Sequence, residues 1–481
     1  MNWHPRSLFG IVLATSWSFV SMAQSTTWRL EDCIQHARAN NLQVREAELN
    51  TRMNAITEQQ VKFGQLPSLN ADASLGESYG RSIDPTSNQF VTQGFMYNSL
   101  GVSSQALLFG WFQKKYQREQ SRLNSLATQA QYDQLQDDIA LNVATGYLRV
   151  LMAREQVNIA QAQLELDKKQ FEQTRSFVKA GKLPELNAVQ LEAKLSGDSA
   201  TVIGAETEAR LALLQLQVLL NLNYNTPFDI SAPSSEALAE QLSWNDLNSE
   251  NIYTLATQRL NRMKYHQFAI ASAEKNVGIA KASRYPSLSA FANLGTNYSS
   301  NVKDVIGQTY VGEESLGTIS IGGTPYPVTR PSYEFDFKTR QLFTQYGNNL
   351  RVNAGLGLSV PLFNGLAARS SVQKAGLGLQ RAQIQQESEQ QRLRQDVVTA
   401  YEQARAARQK WVAMQHAENS ALQALNYALK RYEVGLISTF DYTTTQNAYY
   451  TARVNALSAL YDMVFKRKVL DYYMGIPIQL K

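Results

Sequence analysis

The chain has 481 residues, with 46 Lys and Arg against 41 Asp and Glu, interspersed to a net charge of +5. No polybasic block is present, so nucleic acid is not an expected partner. At 44% hydrophobic and 18% charged residues the chain is too apolar for disorder, and a single cysteine excludes an intrachain disulfide framework.

Residues 1–23 read as an export signal. His4 and Arg6 precede an apolar run from Leu8 to Val20, and Ser21-Met22-Ala23 supplies small residues for cleavage before Gln24. The run is short for a membrane span, and no later stretch reaches eighteen uncharged apolar residues, so the mature chain is expected to lack a transmembrane helix. No cysteine stands at the cleavage site to carry a lipid.

The first repeat, 24–224, opens on a helix whose apolar face is Leu30, Cys33, Ile34 and Ala37. Cys33 reads there as a small buried hydrophobe. Strands follow at about 67–80 and 95–109. Leu69, Ala71, Ala73, Leu75 and Tyr79 alternate with polar residues, as do Leu100 and Val102, and Ala106 and Leu108. A long helical hairpin, 112–224, comes next. Its first arm repeats Val143, Val150, Val157, Leu164, Phe171 and Val178 every seven residues, beside Ile139, Gly146, Ala153, Ala160 and Asp167. Some 65 helical residues reach about 100 Å, more than a globular domain needs. Gly181 is placed for a left-handed helix cap, and Pro184 to begin the second arm.

Residues 225–250, with Pro227, Pro233 and several serines, read as a linker. The second repeat, 251–481, contains a helix, strands at about 286–298 and 349–363, and a hairpin over 366–474. Phe109 and Gly181 recur as Phe363 and Gly435 at an offset of 254. Pro67-Ser68-Leu69 recurs as Pro286-Ser287-Leu288 at 219. The 35-residue difference is an insertion centred on 307–346, read as a long polar loop. The seam recurs as Val397, Ala404, Trp411, Glu418, Leu425 and Tyr432, with Asp167 and Glu418 as its imperfections.

Four strands cannot close a barrel, and open edges in a bilayer leave backbone groups unpaired at several kcal/mol each. Membrane strands of this number therefore require an oligomer. The order of elements, with Val360-Pro361-Leu362-Phe363-Asn364-Gly365, the degenerate Ala106-Leu107-Leu108-Phe109-Gly110, Tyr432-Glu433-Val434-Gly435-Leu436 and the opening Leu30-Glu31-Asp32-Cys33-Ile34, resembles the TolC-type outer-membrane efflux family over about Trp28 to Ile476. The resemblance implies a mostly α fold with a β-barrel part. Three copies would form a 12-stranded outer-membrane β-barrel continued by a periplasmic α-helical barrel. It implies a passive channel in outer-membrane lipid, a homotrimer, opened when a periplasmic adaptor (membrane fusion) protein and an inner-membrane transporter dock. The alternative is a soluble periplasmic coiled-coil structural or adaptor protein.

Asp441, six residues after Gly435, matches by resemblance a periplasmic gate acid; as a sequence feature, Ser438 to Asp441 also reads as a helix capping box. Gly181, Leu183, Val434, Gly435, Leu436 and Ile437 are adaptor-contact candidates by resemblance, and equally the residues that make the turns. Phe109, Trp111, Phe112 and Phe363 stand where strands give way to helices, as an interface belt or as junction packing. No enzyme, metal site or cofactor is expected: His4, His36, His266 and His416 are scattered, and no phosphate-binding glycine loop occurs.

Overall fold

The proline-free stretches form the longest helices. In the computed structural model, which describes residues 27–85, 88–231, 244 and 248–479, α3 (Gln113–Lys179) and α8 (Ala367–Glu433) run 67 residues each. They are followed by α4 (Glu185–Leu219) and α9 (Thr439–Tyr473), 35 residues each. The expected export signal lies outside the described residues, as do 232–243 and 245–247 of the expected linker. Among the described residues no helix is long and apolar enough to cross a membrane.

The helix expected ahead of each strand pair is two helices. In the first repeat α1 (Leu30–Asn40) breaks at Asn41 before α2 (Leu42–Phe63). Asn41 leaves the helical region to do two jobs: its side chain accepts from the Gln43 amide at 2.9 Å and donates to the Leu219 carbonyl at 3.1 Å. In the second repeat α5 (Ser249–Arg259) and α6 (Asn261–Ala282) meet at the extended, buried Leu260. Pro184 stands one residue before its helix as the N-cap rather than inside it. Within the expected linker, β4 (Asp229–Ile230) pairs in parallel with β1 (Thr27–Trp28).

Strands β2 (Ser68–Ile83), β3 (Phe90–Phe109), β5 (Ser287–Ser299) and β8 (Arg351–Ser359) form one antiparallel sheet in the order β2-β3-β5-β8. Its register stacks the four alternations. Ala71, Val102, Leu294 and Val352 lie in one row, and Ala106, Ala290 and Leu356 in another. The opposite face carries rows such as Asn70, Ser103, Asn293 and Asn353, or Asp72 and Arg351 across two glycines. A one-residue slip would mix the faces. The apolar face is bare: Leu69, Leu75, Val352, Leu356 and Leu358 are all exposed. β8 stops at Ser359, short of the expected 363, because Pro361 has no N–H for the ladder.

The expected polar loop at 307–346 is instead built structure. β6 (Lys303–Ile321) and β7 (Thr324–Thr339) make a separate two-stranded ribbon, followed by the short helix α7 (Leu342–Asn348). Three register shifts in β6, each before a glycine (Gly307, Gly312, Gly317), break the simple alternation that would have marked a strand.

The compact units do not coincide with the repeats. One comprises residues 27–48, 132–261 and 390–479; the other comprises 49–131 and 262–389. Each unit draws on both repeats. The core of the first gathers Leu30, Cys33, Val143, Tyr147, Val150, Leu216 and Val464 from α1, α3, α4 and α9. Tyr147 is fully buried, and its hydroxyl donates to the Ser231 carbonyl at 2.6 Å. Burial pushes the Cys33 thiol up to about 12, so it packs as a hydrophobe and stays un-ionised.

Candidate functional site at the hairpin tips

Both long helices end in the same device. Gly181 and Gly435 adopt φ of +69° and +78°, the left-handed region that glycine enters without steric cost. The Gly181 and Lys182 amides donate to the carbonyls of Val178 and Phe177, and the Gly435 and Leu436 amides to those of Tyr432 and Arg431, at 2.8 to 2.9 Å. These are paired C-terminal caps that reverse the chain at once.

The reversals surround a cavity of about 810 Å³ lined by Phe177, Lys182, Leu183, Tyr432, Ile437 and Asp441, among others. Gly181 is not on its lining, whereas Gly435 is. The apolar tip residues divide. Ile437 packs against a small core of Leu425, Ala428 and Tyr442, and Leu183 is half-buried. Val434 and Leu436 are 69% and 68% exposed, far beyond what the turn requires.

Asp441 is exposed and occupied by its own helix end. The Ser438 amide and hydroxyl donate to its Oδ2 at 3.3 and 2.7 Å, while its own amide donates to Ser438 Oγ at 3.1 Å. The capping box is thus present, and the same carboxylate borders the cavity. In the first repeat the matching Asn187 donates its amide to the Pro184 carbonyl.

Behind the tips lies a polar cluster that sequence reading registered only as a fault in the seam. Asp167 of α3 is 1% exposed. It accepts from Gln446 Nε2 of α9 at 2.6 Å and Gln163 Nε2 at 2.8 Å, and pairs with Lys194 of α4, which also reaches Asp198 at 3.2 Å. Burial pushes the Asp167 carboxyl up, but hydrogen bonds with Asp198, Lys194 and Gln163 outweigh that and hold it below its ordinary value. Asp198 is pushed up to about 6, by burial first and then by the shared hydrogen bond and charge of Asp167. Nearer the tip, Tyr432 stacks on Tyr442 at 5.0 Å, and its hydroxyl lies 3.2 Å from both Thr174 Oγ1 and Thr439 Oγ1.

At the strand-to-helix junction of the other unit, Phe109 contacts Trp111 and Phe112 at ring separations of 5.7 and 5.9 Å. Tyr285, which sequence reading missed, lies 4.5 Å from Trp111. Among the described residues Phe363 joins no ring pair, and it is 85% exposed. The two junctions share an unusual backbone. Trp111 and Phe112 have φ of 50° and 62°, and Gly365 and Leu366, 254 positions on, have 59° and 66°. Three of these four are bulky residues in a conformation that favours glycine.

Among the described residues no group of three His, Cys, Asp or Glu side chains could hold a metal ion. A family model described as outer membrane efflux protein matches residues 33–222 and 252–475. No curated protein matches the chain. Among solved structures, CusC, described in connection with transmembrane channel formation, aligns with a TM-score of 0.73 at 19% identity, covering 95% of this chain and 96% of that one. The outer membrane protein VceC of Vibrio cholerae gives 0.71 at 16% identity, covering 93% and 96%. The open-state outer membrane channel MtrE of Neisseria gonorrhoeae gives 0.71 at 18%, covering 94% and 90%.

Proposed function

The chain belongs to the outer membrane efflux protein family, and on that premise we propose that it is the passive exit duct of a tripartite efflux or type I secretion system. Its family is one of outer-membrane efflux channels, not of enzymes. The observation that carries the finer reading is the sheet. Its apolar face is exposed, its other face is polar, and β2 and β8 are left as open edges. That is one third of a closed barrel with lipid outside and water inside. Three copies bring twelve strands and close every edge.

The helical hairpins then extend through the periplasm, where their tips meet a periplasmic adaptor protein joined to an inner-membrane transporter. Val434 and Leu436, exposed beside Gly435, supply the apolar contact, with Gly181 and Leu183 at the other tip and Ile437 holding the turn. Asp441 contributes one carboxylate per copy to a ring at the periplasmic mouth, attractive to cations. Phe109, Trp111, Phe112 and Phe363 mark the inner membrane–water interface of the barrel. Transport energy comes from the partner transporter.

The test is direct. Detergent-extracted protein is expected to have the mass of three copies, to fractionate with the outer membrane and to conduct ions in planar bilayers. Recovery as a soluble periplasmic monomer sinks the reading. Leu436→Asp should abolish export in cells while leaving mass and conductance unchanged, and retained export would remove the tip from the adaptor contact.

A further inference from the structure

The β6–β7 ribbon is unexplained by a duct. An isolated two-stranded ribbon is marginal in water, yet this one is firmly rooted. The buried Gln345 donates to the carbonyls of Ser299 and Arg340, both at 2.9 Å, and accepts from the Ser299 amide at 3.0 Å. The Arg340 amide donates to the Val302 carbonyl at 2.9 Å, and its guanidinium holds Asp304 at 2.6 Å. The ribbon's base is thereby fixed to the end of β5.

The half of the ribbon next to its root is two-faced. Pro325, Pro327, Pro331, Tyr333, Phe335 and Phe337 share one parity along β7 and so one face. Tyr310 faces Tyr333 with ring centroids 5.9 Å apart, and Val305 faces Phe337. The other parity carries Arg330, Glu334, Asp336 and Lys338 in the half next to the root, with Arg330 paired to Glu314, and Tyr326 and Val328 in the half next to the turn. The tyrosines and phenylalanines of the apolar stripe are each about half exposed.

Both edges are poor templates for further strands, although Tyr333, Phe335 and Phe337, on the prolines' parity, keep their outward N–H groups. The three prolines sit where an outward N–H would otherwise be offered, and the three bulges distort β6 every five residues. The aromatic face is therefore the better surface for a partner. Lipid is a poor occupant: β5 alone supplies 13 residues, against the 9 to 11 or so that a membrane strand needs, and the ribbon begins beyond it, in water.

We propose that the aromatic stripe of each ribbon packs on the β2–β3 hairpin end of the neighbouring copy, clasping the trimer outside the membrane. This rests on the trimeric-barrel reading above. The ribbon is inserted between β5 and β8, and β8 is the open edge that a closed barrel sets beside β2 of the next copy. At the far end of β2 the partnered Ile83 and Phe90 are exposed apolar groups, Phe90 with the Arg81 guanidinium 5.3 Å from its ring centre. The stretch from Pro331 to Phe337 spans roughly 20 Å at about 3.3 Å per residue, while the neighbour's first two strands, reached across β8, lie about 10 to 15 Å from the root at β5. A contact from one side of a copy to the other side of the next is heterologous and closes as a ring.

The experiment uses full-length protein in outer membranes with Cys33→Ala. Cysteines placed singly at 333, 335 and 337 are combined with Ile83→Cys or Phe90→Cys and oxidised. Covalent dimers and trimers are expected from the double variants and not from the single ones. In parallel, the Tyr333→Ser, Phe335→Ser, Phe337→Ser triple variant should lose heat resistance of the detergent-solubilised trimer while keeping single-channel conductance. A mass of three copies with no interchain disulfide in any combination, and an unchanged dissociation temperature, overturns the clasp and leaves the trimer standing. A monomeric mass overturns both.

Discussion

Replacing Asp167 with leucine tests whether the polar cluster holds the helices behind the tips. Leucine is bulkier than aspartate but restores an apolar residue at the seam position, so hydrophobic burial alone predicts a gain. The structure predicts a loss. Gln446 Oε1 is already without a partner, and its Nε2 would lose the 2.6 Å bond to Asp167. Lys194, with only 11% of its side chain exposed, would keep a single carboxylate, Asp198 at 3.2 Å. Breaking a buried pair costs about 3 to 5 kcal/mol, and the surviving Asp198 contact places this case near 3. At 1.4 kcal/mol per decade that is about a hundredfold faster amide exchange in peptides covering 160–200 and 440–450, read by mass spectrometry on the detergent-solubilised protein. The pH dependence supplies a second reading. Asp198 has a folded value near 6, above its ordinary 3.8, so its proton favours the folded state. Local stability from this group is full below about pH 4 and is lost as pH rises through 6. Asp167, held low, works in the opposite sense and only below its ordinary value of 3.8. Protection in these peptides, corrected for intrinsic exchange, should therefore be greater at pH 5 than at pH 7, and the difference should shrink in Asp167→Leu. Unchanged exchange in the variant, or better protection of the wild type at pH 7, refutes the reasoning.

Asp441→Ala should cost about 1 kcal/mol through the lost capping box, seen as faster exchange in the first turn of α9; if Asp441 also forms the gate ring, cation selectivity in planar bilayers falls, and intact selectivity leaves capping as its role. Gly435→Val places a β-branched side chain at φ +78° and should destabilise the tip by at least about 1 to 2 kcal/mol, monitored by proteolysis of intact trimer, whereas equal resistance would mean the turn can relax. Trp111→Gly separates two opposed effects, since it relieves a left-handed backbone and removes the ring lying 4.5 Å from Tyr285. The ring contact contributes about 0.5 to 1.5 kcal/mol beyond its buried area and the relieved conformation offsets about as much, so the lost burial of a ring that is 39% exposed decides the sign: thermal stability should fall by roughly 1 to 3 kcal/mol, and a gain would mean that the backbone strain outweighs the packing.

What the sequence revealed follows from how local each feature is. Alternation over Val352–Leu358 and the seam at Val143 and Val150 are periodic within one element, and burial or facing follows directly. The caps at Gly181 and Gly435 and the Ser438–Asp441 box are decided within a few residues. The ribbon escaped because a glycine every five residues disrupts the two-residue period. The break at Asn41 escaped because its cause, the Leu219 carbonyl, lies 178 residues away. Asp167 was visible as a misfit, but its partners sit on α4 and α9, so one helix could not say whether the charge was exposed or paired. The two compact units were hidden entirely, since each is assembled from both repeats.

The unequal strands of the ribbon impose a rule on its length. Nineteen residues of β6 run opposite sixteen of β7, and the surplus of three equals the number of bulges. Gly307, Gly312 and Gly317 face Asp336, Ser332 and Val328, so five residues on one side keep step with four on the other. Like the lanes of a curved track, the longer strand takes the outer arc and the arm bends towards β7. Its unit of growth or trimming is therefore nine residues, five and four. Removing one such unit shortens the arm and returns every remaining side chain to its own face; removing five from each strand turns the aromatic stripe over.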